Sequence, residues 1–266
     1  MHFEAISLEG LSHRFLSRNR SPTVALTDVS ALFPAGKVTS IVGPSGCGKS
    51  TLLLIMRGLV KASEGRVQFL YRDGAGALVP GAPPRMATVW QSFNLLPWRT
   101  VRDNISFGLE LQGVSAEERR AKADEAIKSV ELTGFADHYP GQISGGMKQR
   151  VGLARGMVML PDILFLDEPF GALDAQTRLY LQEQLSTLVE KTAKTVVLIT
   201  HSIEEAIFLG DHVVVMTARP GRIAASLDVP LPRPRSIEVQ KDKVFGELFA
   251  EIYGLLRDEV RKAMMN

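Results

Sequence analysis

Cysteine, net charge and long apolar runs are all scarce in this 266-residue sequence, and each shortage excludes a class of protein. Cys47 is the only cysteine, so the chain cannot form an internal disulfide, which is typical of proteins from reducing compartments. A formal net charge of +2 argues against a dedicated nucleic-acid-binding protein. Because no stretch approaches about 18 consecutive apolar residues, we expect no transmembrane helix. The N-terminus lacks the basic start and apolar run of a signal peptide, so we expect none.

Alternating strand and helix patterns occupy most of the chain. Hydrophobic residues make up 45% of the sequence, which is enough for a sizeable core. The alternation indicates an α/β fold with a mostly parallel sheet covered by helices. The predicted strands are 37–43, 66–72, 85–91, 162–169, 195–201 and 212–218, and the predicted helices are 50–59, 101–112, 116–132 and 172–191.

Two parts of the chain depart from this alternation. Residues 92–158 lack a clear strand pattern, so we predict a mainly helical subdomain inserted into a main domain that spans 1–230. Residues 231–266 form a C-terminal part, a linker followed by an amphipathic helix. Apolar residues recur there at helical spacing: Phe245, Leu248, Phe249, Ile252, Leu256 and Val260. Because this tail is not polybasic, we expect it to pack on its own domain rather than on a membrane surface.

The segment GPSGCGKST, residues 43–51, fits the P-loop pattern G-x-x-x-x-G-K-[ST]. It follows a predicted strand and opens a predicted helix, which is the context that the motif requires. The glycines let backbone N–H groups surround phosphates, Lys49 reaches the outer phosphates, and the Ser50 hydroxyl can bind Mg²⁺. An unrelated glycine-rich turn is the alternative, and the acids further along the chain argue against it. We expect the whole loop to bind the nucleotide: Gly43, Pro44, Ser45, Gly46, Cys47, Gly48, Lys49, Ser50 and Thr51.

Polar side chains follow three other predicted strands, where ligands of open α/β sheets bind. Asp167 closes the hydrophobic strand LFLD, where it would hold Mg²⁺, and Glu168 beside it can activate the attacking water. His201 ends the strand TVVLIT, from which its imidazole could reach the γ-phosphate. Gln91 ends the strand 85–91. For each residue alone, a structural role or simple exposure is the usual explanation, and the P-loop is what favours a catalytic role.

A second glycine loop, ISGGMKQR, occupies residues 143–150. A serine and two glycines stand directly before a predicted helix. A helix N-terminus with exposed N–H groups favours an anion, so this loop is also a candidate phosphate site. Ser144 can equally be an ordinary helix N-cap, and the two roles are compatible.

In order and spacing, these motifs resemble those of the ATP-binding subunit of ABC transporters, over residues 6–230. The resemblance implies an ATPase with a P-loop NTPase (RecA-like) fold, in which an antiparallel N-terminal β part and an inserted helical subdomain accompany the parallel sheet. It implies ATP and Mg²⁺ as cofactors. The implied roles are these: Walker A loop, residues 43–51; Q-loop glutamine and Mg²⁺ contact, Gln91; signature motif, Ser144, Gly145 and Gly146; Walker B metal residue, Asp167; catalytic glutamate, Glu168; D-loop, Ala172, Leu173 and Asp174; switch histidine, His201; adenine-stacking candidate, Phe15.

The resemblance also explains why one chain has two phosphate loops. In the family, two copies pack head to tail, and the signature motif of one copy completes the nucleotide site of the other. The remaining implied partners are two transmembrane permease subunits and, indirectly, a solute-binding protein. The implied location is the cytoplasmic face of the plasma membrane. The apolar segment 95–98, which follows the Q-loop, would then help to receive the permease, unless it fills the helical subdomain instead.

The signature departs from the usual family pattern, since Met147 stands where glutamine is most common. That methionine and the segments 91–110, 216–223 and 231–235 are similar to the importer branch for nitrate, sulfonates and taurine. The solute stays open among nitrate, aliphatic sulfonates, taurine, bicarbonate and a thiamine precursor.

Two other functions and one chemical hypothesis accompany this interpretation. A non-transport ABC ATPase acting on DNA or ribosomes would be expected to contain long coiled coils or a second cassette, and an unrelated P-loop kinase or GTPase would lack SGG and LFLDEP. Finally, Cys47 can simply be the small side chain that this position of the loop needs. Lys49 and the following helix nevertheless favour a thiolate there, so we expect a reactive thiol whose alkylation inactivates the enzyme.

Overall fold

The computed structural model describes residues 2–17, 20–171 and 173–265. It divides into two compact units, unit 1 with Met1–Pro84 and Leu181–Asn266, and unit 2 with Arg85–Tyr180. The strands are β1 (His2–Ser17), β2 (Arg20–Pro34), β3 (Val38–Val42), β4 (Glu64–Arg72), β5 (Leu78–Gly81), β6 (Met86–Val89), β7 (Ile163–Asp167), β8 (Thr195–Thr200), β9 (His212–Met216) and β10 (Ile223–Asp228). The α-helices are α1 (Lys49–Met56), α2 (Val101–Leu111), α3 (Ala116–Ser129), α4 (Gly145–Met157), α5 (Ala175–Thr192), α6 (Ile203–Leu209) and α7 (Lys243–Met265).

Unit 1 contains an antiparallel sheet with the strand order β2-β1-β4-β5. The pairing of β1 with β4 shifts register between Glu9 and Ser12, which marks a bulge. Gly65 lies opposite this bulge with φ +77, and a Cβ there would lie 2.4 Å from the carbonyl oxygens of Glu9 and Gly10. Only glycine therefore allows β4 to approach β1 so closely.

Unit 1 also contains the parallel strands that lead to the P-loop. Here β3 pairs in parallel with both β8 and β9, and β10 adds antiparallel to β9. Every residue of β3 and β8 is buried, as expected for parallel strands with both faces covered. The buried apolar runs hold the chain in register up to the loops that follow Val42 and Thr200.

The C-terminal part of the chain is anchored to α6 and β9. Arg235 is buried and donates hydrogen bonds to the carbonyl oxygens of Ile207, Phe208 and Gly210, at the end of α6. Burial lowers the pKa of Arg235 to about 10. Further along, α7 packs against α6 and β9. Its apolar residues Phe245, Leu248 and Ile252 are buried, and the side chain of Val260 lies outside the described part of the chain.

Unit 2 pairs β6 with β7 in parallel and adds a helical cluster. Within residues 92–158 the regular structure is helical, since α2, α3, α4 and two short 3₁₀ turns lie there. Their apolar faces form one core, which includes Val101, Ile105, Leu109, Ala123, Ile127, Val151 and Ala154. Met147 is partly buried against the same core.

The predicted strands 85–91, 162–169 and 212–218 each extend two residues too far. β6 ends at Val89, which pairs with Leu166, and Gln91 lies two residues later in a bend. The neighbouring strand β7 ends at Asp167, one residue beyond this pair, so residues after Val89 have almost no strand left to pair with.

Among the described helices, α7 included, we find none that is long and apolar enough to cross a bilayer.

Candidate nucleotide-binding site

The P-loop joins β3 to α1 in unit 1, and its backbone requires glycine. Gly46 and Gly48 have φ angles of +76 and +100, in the left-handed region. A Cβ at Gly48 would lie 2.8 Å from Cδ2 of Leu26 and 2.9 Å from the carbonyl oxygen of Ala25. The loop therefore keeps this shape only with a glycine before Lys49.

Lys49 points its ammonium group into the loop. The side chain is 5% exposed, and Nζ donates hydrogen bonds to the carbonyl oxygens of Gly43 at 2.7 Å and Pro44 at 3.0 Å. Both acceptors are neutral, and a buried charge is stabilised far better by an opposite charge. The residues thus fit a phosphate group. Ser50 is exposed in the first turn of α1, next to Thr51.

Cys47 does not behave as the sequence predicts. The residue is 1% exposed, and burial raises the pKa of its thiol, while Lys49, whose Nζ lies 3.9 Å from Sγ, opposes the shift. The effect of burial is the larger of the two. The prediction of a low-pKa, reactive thiol is therefore wrong, because removal from water penalises the thiolate more than the lysine stabilises it.

Two of the predicted catalytic residues, Gln91 and Glu168, are in contact in unit 2. Asp167 is buried at the end of β7, and Glu168 follows it with φ +45. A residue other than glycine in this region is strained, and such strain concentrates at functional sites. Nε2 of Gln91 donates a hydrogen bond of 3.0 Å to Oε2 of Glu168. Gln91, the Q-loop candidate, is thus hydrogen-bonded to Glu168, the candidate base.

The second glycine loop forms the N-terminus of α4. Oγ of Ser144 accepts a hydrogen bond of 3.3 Å from the N–H of Met147, so Ser144 is the N-cap. Gly145 is exposed, with nothing within 4 Å of an added Cβ. A Cβ at Gly146 would lie 3.3 Å from Cδ2 of Leu173. The glycines therefore leave the helix N-terminus open on one side and closely packed on the other.

The D-loop candidate caps the next helix. Oδ1 of Asp174 accepts a hydrogen bond of 3.0 Å from the N–H of Thr177, in the first turn of α5. This hydrogen bond is the main reason why the pKa of Asp174 is lowered. Ala172 lies outside the described residues.

The other two candidates lie in unit 1. His201 is exposed and directly follows β8. Phe15 lies on β1, is 45% exposed, and its ring contacts that of His13 edge-on at 4.6 Å between centroids. An exposed aromatic face of this kind is suited to stacking on a planar base.

Comparison with known proteins decides the family. The family model described as ABC transporter matches residues 26–171. The chain belongs to the ABC transporter family. It is 44% identical over 258 residues to the taurine import ATP-binding protein TauB of Rhizobium johnstonii, covering 94% of this chain and 96% of that protein. It is 44% identical over 242 residues to the nitrate import ATP-binding protein NrtC of Synechococcus elongatus, covering 90% of this chain and 36% of that protein.

A solved ABC cassette has the same fold. The dimeric structure of MJ0796, a bacterial ABC transporter cassette, matches with a TM-score of 0.73 and 32% identity, over 85% of this chain and 100% of that chain. The predicted family and fold class are therefore confirmed, and the two relatives above belong to the predicted importer branch. As an ABC protein, the chain has an ATP-binding cassette and is an ATPase.

Sequence reasoning missed one arginine of this ABC cassette. Arg155, on α4, donates hydrogen bonds to the carbonyl oxygens of Phe93 at 2.6 Å and Asn94 at 2.8 Å, just after Gln91. Burial lowers its pKa. The available signal was an arginine inside the apolar stretch VGLARGMV, since charged residues are rarely buried without partners.

Proposed function

We propose that this protein is the ATP-hydrolysing subunit of an ABC importer for a small solute of the class that includes nitrate, sulfonates, taurine and bicarbonate. The observation behind the ATPase mechanism is the hydrogen bond between Gln91 and Glu168. The solute class is supported by the names of the taurine and nitrate import relatives, which match nearly the whole of this chain.

In this proposal the P-loop binds the phosphates of ATP. Its N–H groups and the N-terminus of α1 surround the phosphate oxygens, while Lys49 exchanges its carbonyl partners for the outer phosphates. The hydroxyl of Ser50, the amide of Gln91 and the carboxylate of Asp167 would hold Mg²⁺, since oxygen atoms are its preferred ligands. When bound, Mg²⁺ neutralises charge on the β- and γ-phosphates. Phe15 stacks on the adenine.

Glu168 then acts as the general base. It accepts a proton from the attacking water as the water oxygen bonds to the γ-phosphorus and the bond to the β–γ bridging oxygen breaks, releasing ADP. The donor from Gln91 fixes one carboxylate oxygen of Glu168. His201 contacts the γ-phosphate.

A second copy of the chain completes each site. The open N-terminus of α4 provides N–H groups from Gly145 and Gly146, with Ser144, to the ATP held by the partner's P-loop, and Asp174 lies at the same interface. The dimeric cassette of similar structure supports this arrangement.

The remaining partners are two membrane permeases, fed by a solute-binding protein, at the cytoplasmic face of the plasma membrane. Different residues of the segment 95–98 fit the two roles considered for it, which are packing in the helical subdomain and contact with a permease. Leu95 packs against the helical core, whereas Trp98 is 71% exposed. We assign permease contact to Trp98 rather than to the whole segment.

An ABC ATPase that acts on DNA or ribosomes is less well supported. The helices of the inserted region contain 11, 14 and 13 residues, far shorter than an extended coiled coil.

The test is ATP hydrolysis by the protein assembled with its permeases in liposomes, measured with each candidate solute and its binding protein. Stimulation by one small anion or sulfonate, abolished by Lys49→Ala, is expected. Hydrolysis that responds to none of the solutes, together with no association with the permeases, would contradict an importer.

A further inference from the structure

Arg155 joins two motifs that are far apart in the sequence. Its guanidinium binds the Phe93 and Asn94 carbonyl oxygens through two different nitrogens, Nη2 and Nη1. Such a fork holds a backbone segment in orientation as well as in position. The two carbonyls belong to the segment that follows Gln91, which we call the Q-segment (residues 91–94).

The helix surface around Arg155 packs against the Q-segment. Gly152 lies one turn earlier on α4, and a Cβ there would lie at ordinary contact distance, 4.0 Å from Cβ of Phe93 and 3.9 Å from Cγ1 of Val89. Asn94 has φ +47, in the left-handed region that asparagine adopts more readily than most side chains, so the Q-segment turns at this residue. Arg155 binds the carbonyl oxygen of this turn from α4.

The same helix begins at the signature motif. α4 runs from Gly145 to Met157 with Ser144 as its N-cap. Arg155 lies eleven positions after Ser144, which is roughly 16 Å along the helix axis at 1.5 Å per residue. A displacement of the Q-segment that is transmitted through Arg155 therefore moves the signature motif as well.

We propose that Arg155 is a positioning residue that couples the Q-segment to the signature helix, so that the Gln91 response to bound ATP aligns Ser144, Gly145 and Gly146 for the partner's nucleotide. This inference rests on the proposed dimer. It assigns Arg155 no contact with ATP: its effect is on dimerisation and turnover, and not on nucleotide affinity.

Arg150 offers a matched control on the same helix. Its Nη1 donates a hydrogen bond of 3.1 Å to the carbonyl oxygen of Val130, at the end of α3. It therefore binds α4 to the helical core and not to the Q-segment. Arg150→Gln and Arg155→Gln each remove one arginine bound to backbone oxygen, but only the second cuts the proposed coupling.

The experiment uses the full chain in a Glu168→Gln background, with three readouts. These are the affinity for a fluorescent ATP analogue, ATP-dependent dimerisation by analytical ultracentrifugation, and the ATP-induced change in the fluorescence of Trp90, which directly precedes Gln91. Trp98→Phe removes the other tryptophan, so that the fluorescence reports on Trp90 alone. For Arg155→Gln we expect unchanged affinity, a retained Trp90 response, and dimerisation weakened by about tenfold or more. Arg155→Lys, a single-point donor, should lie between wild type and Arg155→Gln.

Each result decides the question. Equal dimerisation of the Arg155→Gln and Arg150→Gln proteins would overturn the coupling role, and so would a parallel loss of nucleotide affinity and thermal stability in Arg155→Gln alone. If Arg155→Gln does not fold, the same comparison is made with Arg155→Lys. Failure of the parent protein to bind ATP or to dimerise would instead overturn the proposed function, which separates the two failures.

Discussion

The side-chain amide of Gln91 donates a hydrogen bond of 3.0 Å to the carboxylate of Glu168, across 77 positions of sequence. The two residues follow β6 and β7, which are parallel neighbours, so their loops leave the same edge of the sheet. In the proposed mechanism, this contact would let the Gln91 side chain both sense the nucleotide and orient the base. A change at either residue should therefore alter turnover.

Glu168→Gln should retain ATP binding and lose turnover by about 10²- to 10⁴-fold, because the amide cannot accept the proton of the attacking water. The stalled protein should accumulate as an ATP-bound dimer. Phosphate release and sedimentation in the presence of ATP measure the two effects. Near wild-type hydrolysis would remove Glu168 from the catalytic role.

Gln91→Glu should move the acidic limb of the kcat profile to higher pH. The new carboxylate would replace the amide that now lies 3.0 Å from Glu168, and two like charges at such a distance raise the pKa of one of them. Glu168 must be deprotonated to act as the base, so activity would be lost at a higher pH as the pH falls. Gln91→Leu, which removes the hydrogen bond without adding charge, is the control. A profile for Gln91→Glu that coincides with that of Gln91→Leu would contradict the contact.

Cys47 should react slowly with maleimide in the folded protein. Burial raises the pKa of its thiol, so the thiolate is scarce near neutral pH and its fraction rises as the pH increases past the usual value of about 8.5. Labelling should accelerate with pH, and denaturant should accelerate it further by exposing the thiol. The measurement is a labelling time course by mass spectrometry at several pH values. Rapid labelling of the native protein at neutral pH would instead support the reactive thiol that the sequence alone suggested.

Gln149→Leu should leave the free energy of unfolding unchanged or raise it by about 1–3 kcal/mol. Gln149 lies in α4 at 1% exposure, and neither atom of its amide has a hydrogen-bond partner among the described residues. Asn104→Leu is the contrasting variant: Asn104 is also buried, but its side chain binds the backbone of Leu96, Arg99 and Thr100. Urea unfolding of both variants checks the prediction, which fails if Gln149→Leu destabilises as much as Asn104→Leu.

Much of the molecule follows from the sequence because its signals are contiguous. The P-loop, the signature motif and LFLDEP are runs of neighbouring residues, and each needs only a strand or helix boundary beside it. Apolar periodicity places those boundaries, so the α/β class, the helical stretch within 92–158 and the ABC family could all be predicted. Even Glu168, as an acid at the end of a buried strand, is marked by local pattern.

Tertiary structure alone decided the features that depend on distant segments. The hydrogen bond from Gln91 to Glu168 joins residues 77 positions apart. The hydrogen bond from Arg155 to Asn94 joins residues 61 positions apart. The pKa shift of Cys47 is opposite to the predicted one for the same reason. The sequence shows that Lys49 is nearby, but it does not show the burial, which has the larger effect on the pKa. Burial and long-range hydrogen bonds come from how separate elements pack, and no local pattern of residues encodes the distance between two side chains that only folding brings together.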